Sequence, residues 1–237
     1  MGHDSIIYDN SKRADILTIV FWTVIISLLV GIVSSYMELI LLEGLKNGEY
    51  ITEEEANTND TRQQIIGILQ IALHVTSVVV FLNWFRRAYG NLHRLGDKTL
   101  KHSETMTIWG FVIPIVCYFW PYQIMSDIWV RTQHHIKNLK PNFLKSNDGY
   151  LIGIWWALFV ISAIIGKVIL RTVFKDETID ELMISSIITL VSDALQIIEA
   201  LILILIVQKI SKMEKTLKFE YDRQSKLITL EKPSEIL

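Results

Sequence analysis

Two acids and a row of hydroxyls and amides stand inside an otherwise apolar run near the C-terminus. Ser185, Thr189, Ser192, Gln196 and Glu199 follow one another at spacings of 4, 3, 4 and 3. That repeat puts side chains on one face of a helix. Glu181 extends the row by another 4, and Asp193 lies beside it. Carboxylates are costly within a bilayer and turn to a bundle interior or a water-filled cavity. One chemistry that fits is a pore lining, with Asp193 and Glu199 favouring cations. The alternative is packing: Ser, Thr and Gln bridge helices, while Asp193 or Glu199 pairs with Lys167 or Arg171. Gln63, Gly67, Gln70, His74 and Ser77 repeat the same spacing more weakly in an earlier run. His74 is expected to be a buried hydrogen-bonding residue rather than a proton relay or a metal ligand.

Enzyme chemistry lacks its parts. His134 and His135 are adjacent in a polar stretch, and His102 stands alone. There is no glycine-rich phosphate loop, and no nucleophile has an evident base. Neither a metal nor another cofactor is expected. The single Cys117 excludes an internal disulfide.

The elements that must carry these rows are membrane spans. Apolar residues make up 51 % of the 237, and the charges cluster between long uncharged stretches. A spanning helix needs about 20 mostly apolar residues. Residues 16–40, 65–85, 151–174 and 182–207 qualify. Residues 106–129 are less regular, because Pro114 and Pro121 each remove a helix donor and clash with the turn before. If 106–129 crossed, with the N-terminus inside, Lys and Arg would number 10 inside and 13 outside. If that stretch enters and leaves on one side, the numbers become 18 and 5. Cytoplasmic segments carry the positive charge. The prediction is therefore an all-α membrane protein: four transmembrane helices plus a proline-broken re-entrant or interfacial segment, both termini cytoplasmic, in the bacterial inner membrane. The transmembrane domain is 1–207 and the cytoplasmic tail 208–237. Trp84, Tyr89, Trp120, Tyr122 and Trp129 suit the aromatic belt at the lipid headgroups, and Asp127 is placed to pair with Arg87.

The tail changes period. Residues 217–221 alternate apolar and charged, 222–225 are turn-like, and 226–231 are β-prone again. A β-hairpin at about 217–231 is expected, with Leu217, Phe219, Ile228 and Leu230 on one face. A lone hairpin is marginal in water, so copies from neighbouring subunits are the expected cover. That predicts a homo-oligomer, with a tetramer as candidate. Lys215, Lys218, Arg223 and Lys226, interleaved with Phe219 and Tyr221, have the composition that holds single-stranded nucleic acid by phosphate contact and stacking. Membrane lipid headgroups are the competing partner.

Residues 81–129 also carry a resemblance. Trp84, Arg87, Ala88, Tyr89, Asn91 and Leu92, then Pro114, then Pro121, Tyr122 and Gln123, then Asp127 and Trp129, look like the pattern of a bacterial multi-pass membrane family of unknown function. Within it, the architecture and tail resemble the membrane effectors of the Hailong anti-phage system. That resemblance implies a gated ion channel. Its cytoplasmic hairpin would sense a single-stranded deoxyadenylate oligomer made by a partner nucleotidyltransferase. A small ion- or proton-coupled transporter using Asp193, Glu199 and His74 is the alternative, although it lacks the internal repeat common in carriers. A non-conducting structural membrane protein is the other.

Overall fold

The computed structural model describes residues 6–172 and 178–231, with side chains over 6–169 and 178–227. Among the described residues the chain is helical and contains no strand. The elements are α1 (Ser11–Lys46), α2 (Glu53–Arg94), α3 (Met106–Val112), a 3-10 turn (Val116–Tyr118), α4 (Trp120–Leu139), α5 (Tyr150–Thr172) and α6 (Ile179–Glu231). Four helices, α1, α2, α5 and α6, are long and apolar enough to cross a membrane, and the chain is a multi-pass membrane protein. Local chemistry sets their ends. Thr52 and Glu55 form a reciprocal capping box at the start of α2 (Thr52 N to Glu55 Oε2 2.9 Å, Glu55 N to Thr52 Oγ1 3.2 Å). Thr178 and Glu181 do the same for α6, at 3.0 and 3.3 Å. Glu181, the outward extension of the polar row, is thus a helix cap. Gly96 (φ +72°) follows the end of α2 in a left-handed conformation that glycine adopts freely.

The chain divides into two compact units. The first gathers the described residues of Met1–Thr18, Val79–Ile154 and Ile204–Leu237. Its core is Trp84, Phe85, Tyr89 and Leu92 of α2, Ile124, Met125, Ile128 and Ile136 of α4, and Ile206, Val207 and Ile210 of α6, each at most 1 % exposed. Outside the apolar spans, as at Leu92, Ile136 and Ile210, fully burying one such side chain stabilises by about 1.5–3 kcal/mol. Trp84, Tyr89 and Trp129 are therefore core residues rather than members of an interface belt; only Tyr122 of the five is strongly exposed, at 40 %. α3 is pinned to α2 by Phe111, whose ring meets Phe81 edge-on at 5.8 Å. Between α3 and α4 the chain turns by 110°. The two prolines act differently there. Pro121 occupies the first turn of α4, where its missing N–H costs nothing. Pro114 follows α3 and precedes Ile115, which sits at φ +69° and makes the break.

The tail hairpin is not formed. Residues 217–231 continue α6 without interruption. No Gly or Pro occurs between Ile179 and Pro233, so nothing in the sequence stops the helix. Ile206, Ile210, Met213, Leu217 and Glu220 are all buried and recur at 4, 3, 4 and 3, the helical period. The five-residue alternation from 217 to 221 is too short to compete with that packing. Leu217 is 2 % exposed and Phe219 66 %, on opposite sides of the helix. The side chains of Ile228 and Leu230 lie outside the described residues.

The second unit comprises Ile19–Val78 and the described residues of Trp155–Leu203. It is inverted relative to a water-soluble domain. Ile19, Ile26, Val33, Ile65, Ile68, Ile71 and Val79's neighbour Val75 are 58–67 % exposed, while Ser27, Ser34, Asn59, Ser186, Ser192 and Asp193 are buried. Apolar outside and polar inside is stable only where the surrounding solvent is hydrocarbon.

Candidate functional site

The polar interior of the second unit is a continuous seam shared by α1, α2 and α6. Near one end Glu38 of α1 accepts from Asn59 Nδ2 (3.3 Å) and from Ser186 Oγ (2.7 Å). One turn on, Ser34 exchanges bonds with Gln63 and receives Arg62 Nε at 3.0 Å. Deeper still, Gln70 Nε2 donates to Asp193 Oδ2 (3.3 Å) and to the Ser27 carbonyl (3.5 Å). Gly31, having no side chain, leaves room for that contact. A Cβ there would lie 2.3 Å from Gln70 Nε2 and 2.6 Å from Asp193 Oδ2.

Beside that contact is a cavity of about 230 Å³, lined by Ser27, Gln70, His74, Asp193 and Gln196 among apolar side chains. Asp193 is 4 % exposed and Ser27 8 %. Among the described residues Asp193 makes no ion pair; the Gln70 amide donates to its carboxylate. The row named from the sequence is therefore divided. Asp193 and Gln196 face the cavity. Ser192 is buried and receives Gln196 Nε2 at 3.1 Å. Ser185 and Thr189 are half-buried off the cavity, and Ser186 takes the place on the seam. Glu199, six residues beyond Asp193, falls about 120° round the helix from it, beside Ser162 of α5. Arg171, named as a possible partner of the acids, has its side chain outside the described residues. Of the row in α2, Gln63, Gln70 and His74 meet the seam or its cavity, while Ser77 donates back to the His74 carbonyl within its own helix; His74 is exposed rather than buried as expected. Ser27, Ser34 and Glu38 on α1 complete the seam and are missing from the sequence expectations. With Gly31 they are spaced 4, 3 and 4, which marks one helical face as plainly as the rows in α2 and α6.

The first unit holds a second polar cluster. Glu214 of α6 is 7 % exposed. It accepts Asn10 Nδ2 at Oε2 and Asn91 Nδ2 at Oε1, both at 3.1 Å. Asn10 also donates to the Trp84 carbonyl (3.2 Å), and Asn91 clamps Tyr8 by both backbone groups (2.9 and 3.1 Å). Arg87 and Arg94 stack over the Tyr8 ring, 4.8 and 4.3 Å from its centre. Arg87 is thus engaged with the N-terminal segment, not with Asp127. Glu214 lies seven residues past the apolar run 182–207, so it is outside the span. Burial pushes its carboxyl up to about 7, against the lowering by the two asparagine amides.

A shallow cavity of about 330 Å³ adjoins this cluster. Of the six tail residues expected to bind ligand, Lys215, Lys218 and Phe219 line it, together with Tyr8, Asp9 and Asp222. Tyr221, Arg223 and Lys226 lie elsewhere on α6. Arg223 contacts Glu220 at 3.5 Å, and Glu220 also pairs with Lys140 at 3.6 Å. The basic and aromatic residues therefore do not form one continuous face.

Comparison with known proteins adds a family. The model of a domain of unknown function, DUF4328, matches residues 47–212, and the chain belongs to that family. No curated protein and no solved structure matches it. The family match contains Trp84, Asn91, Gln70 and Asp193, so it takes in the heart of the seam and part of the Glu214 cluster.

Proposed function

We propose that this family member passes cations across the bacterial plasma membrane along the α1–α2–α6 seam, with both termini in the cytoplasm. One observation carries the proposal: Asp193 is buried in a span, faces a cavity, and has no cationic partner among the described residues. A carboxylate in such a place is retained against its desolvation cost when it serves a moving charge. The orientation is supported by the first unit. It groups the N-terminal segment, residues 79–154 and the tail, the segments that carry the excess of Lys and Arg.

A cavity of 230 Å³ is not an open path. Conduction therefore requires the seam to open, and assembly into a homo-oligomer is part of the proposal. The resemblance to anti-phage membrane effectors supports a gated channel in defence. Its sensing element has no hairpin here, so a deoxyadenylate ligand would have to use the cavity at Lys215, Lys218 and Phe219. The test is conductance of the purified chain in planar bilayers, with and without short deoxyadenylates. Cation current that Asp193→Asn reduces supports the proposal. No current under any condition removes it. Current indifferent to the oligonucleotide keeps the channel and removes that ligand.

A further inference from the structure

The cavity on the seam has the chemistry of a binding site, not only of a passage. Ser27 is 8 % exposed, and its Oγ is enclosed without a hydrogen-bond partner. Other hydroxyls in the spans are paired along their own helices: Thr23 on the same helix donates back to the Ile19 carbonyl, and Thr76 to the Ala72 carbonyl. Ser27 makes no such bond and lines the cavity instead. A buried hydroxyl left unpaired is costly, and its oxygen is free to accept a cation in the cavity.

The surrounding groups select the ligand. Asp193 presents one carboxylate, 4 % exposed. Gln70 uses its Nε2 on Asp193 and the Ser27 carbonyl, and its Oε1 accepts no bond among the described residues. Gln196 adds a second amide at the rim. Oxygen donors suit hard cations. One carboxylate balances one positive charge in a low-dielectric setting. Among the described residues no group of three His, Cys, Asp or Glu side chains is assembled to hold a metal. A divalent or transition ion is therefore poorly matched.

We propose that Asp193, Ser27 and Gln70 form a saturable site for one partly dehydrated monovalent cation, of the sodium or potassium class, within the membrane unit. Gly31 is part of the site's construction, because any side chain there would displace Gln70 and Asp193. The site deepens the proposed cation passage and rests on it only for its purpose.

The experiment is thermal unfolding of the purified full chain in detergent, titrated with sodium, potassium or choline chloride at constant ionic strength. A ligand that binds only the folded state raises stability with saturation. Saturable stabilisation by sodium or potassium, absent with choline, is expected. Asp193→Asn should abolish it. Because that variant alters a buried charge, Ser27→Ala is the second arm. It removes one neutral ligand and should weaken the apparent affinity about tenfold, while the cation-free melting temperature stays the same or rises because a buried unpaired hydroxyl is gone. Equal curves for all three salts overturn the site, as does unaltered affinity in both variants. Stabilisation without bilayer current would keep the site and remove conduction. Current without saturable binding would do the reverse.

Discussion

Replacing Asn91 by Ala should release the N-terminal segment. Asn91 makes two bonds to it, Nδ2 to the Tyr8 carbonyl (2.9 Å) and Tyr8 N to Oδ1 (3.1 Å), and a further one from Nδ2 to Glu214 Oε1 of α6 (3.1 Å). A net worth of about 1 kcal/mol for each of the two bonds to the segment gives about 2 kcal/mol. That is roughly a thirtyfold rise in the population of the undocked segment. Hydrogen exchange followed by mass spectrometry reads it directly, because local opening sets protection. Peptides covering residues 6–10 should exchange about thirtyfold faster, while peptides from α4 are unchanged. Glu214 adds a pH dependence whose sign is definite. Its folded-state pKa is raised from 4.5 to about 7. The contribution to docking is full below 4.5 and is lost as pH rises through about 7. The difference corresponds to about 3 kcal/mol. Asp9 and Arg87 are the charges that act on the carboxyl, and Asp9, Lys215, Lys218 and Asp222 line the adjoining cavity with it. After correction for intrinsic rates, the segment should be less protected at pH 8 than at pH 5.5, and Glu214→Gln should remove most of that difference. Identical protection of residues 6–10 in wild type and Asn91→Ala would refute the Asn91–Tyr8 clamp.

Other perturbations separate the remaining claims. Gly31→Ala should displace Gln70, cost about 2 kcal/mol through its two bonds, and lower cation affinity; unchanged thermal stability and affinity would contradict the close approach. Thr178→Ala removes one half of the α6 capping box and should cost about 1 kcal/mol in thermal unfolding, with no loss if the cap is not formed. In a Cys117→Ser background, Phe219→Cys should react readily with a maleimide and Leu217→Cys slowly, because α6 places one outward and the other in the core. Equal reactivity would favour a strand over the helix.

The four spans were legible because hydrocarbon thickness dictates run length and leaves little room for alternatives. The broken element was legible from Pro114 and Pro121, although the break itself falls at Ile115. The row in α2 was readable because helical spacing alone determines a face. The matching row in α6 was misplaced by one position in part, since a helix shared among several neighbours presents more than one polar face. Ser186 and Asp193, not Ser185 and Glu199, meet the seam. The tail is not legible locally: its five alternating residues have a strand's period, but the long helix that feeds them carries on through Glu231. Trp84, Tyr89 and Trp129 were assigned to a belt because composition does not distinguish an interface from a core built at the membrane's edge. The junction of Asn10, Asn91 and Glu214 joins residues 81 to 204 positions apart, pairings for which a single sequence carries no local signal.

The central claim is that charge crosses the membrane beside Asp193. The most direct measurement is sodium and potassium flux into proteoliposomes containing wild type or Asp193→Asn at equal protein density. The account predicts cation uptake with wild type and a loss of at least tenfold in the variant, with both chains equally helical by circular dichroism. Equal uptake by the two would take Asp193 out of the path and contradict the claim.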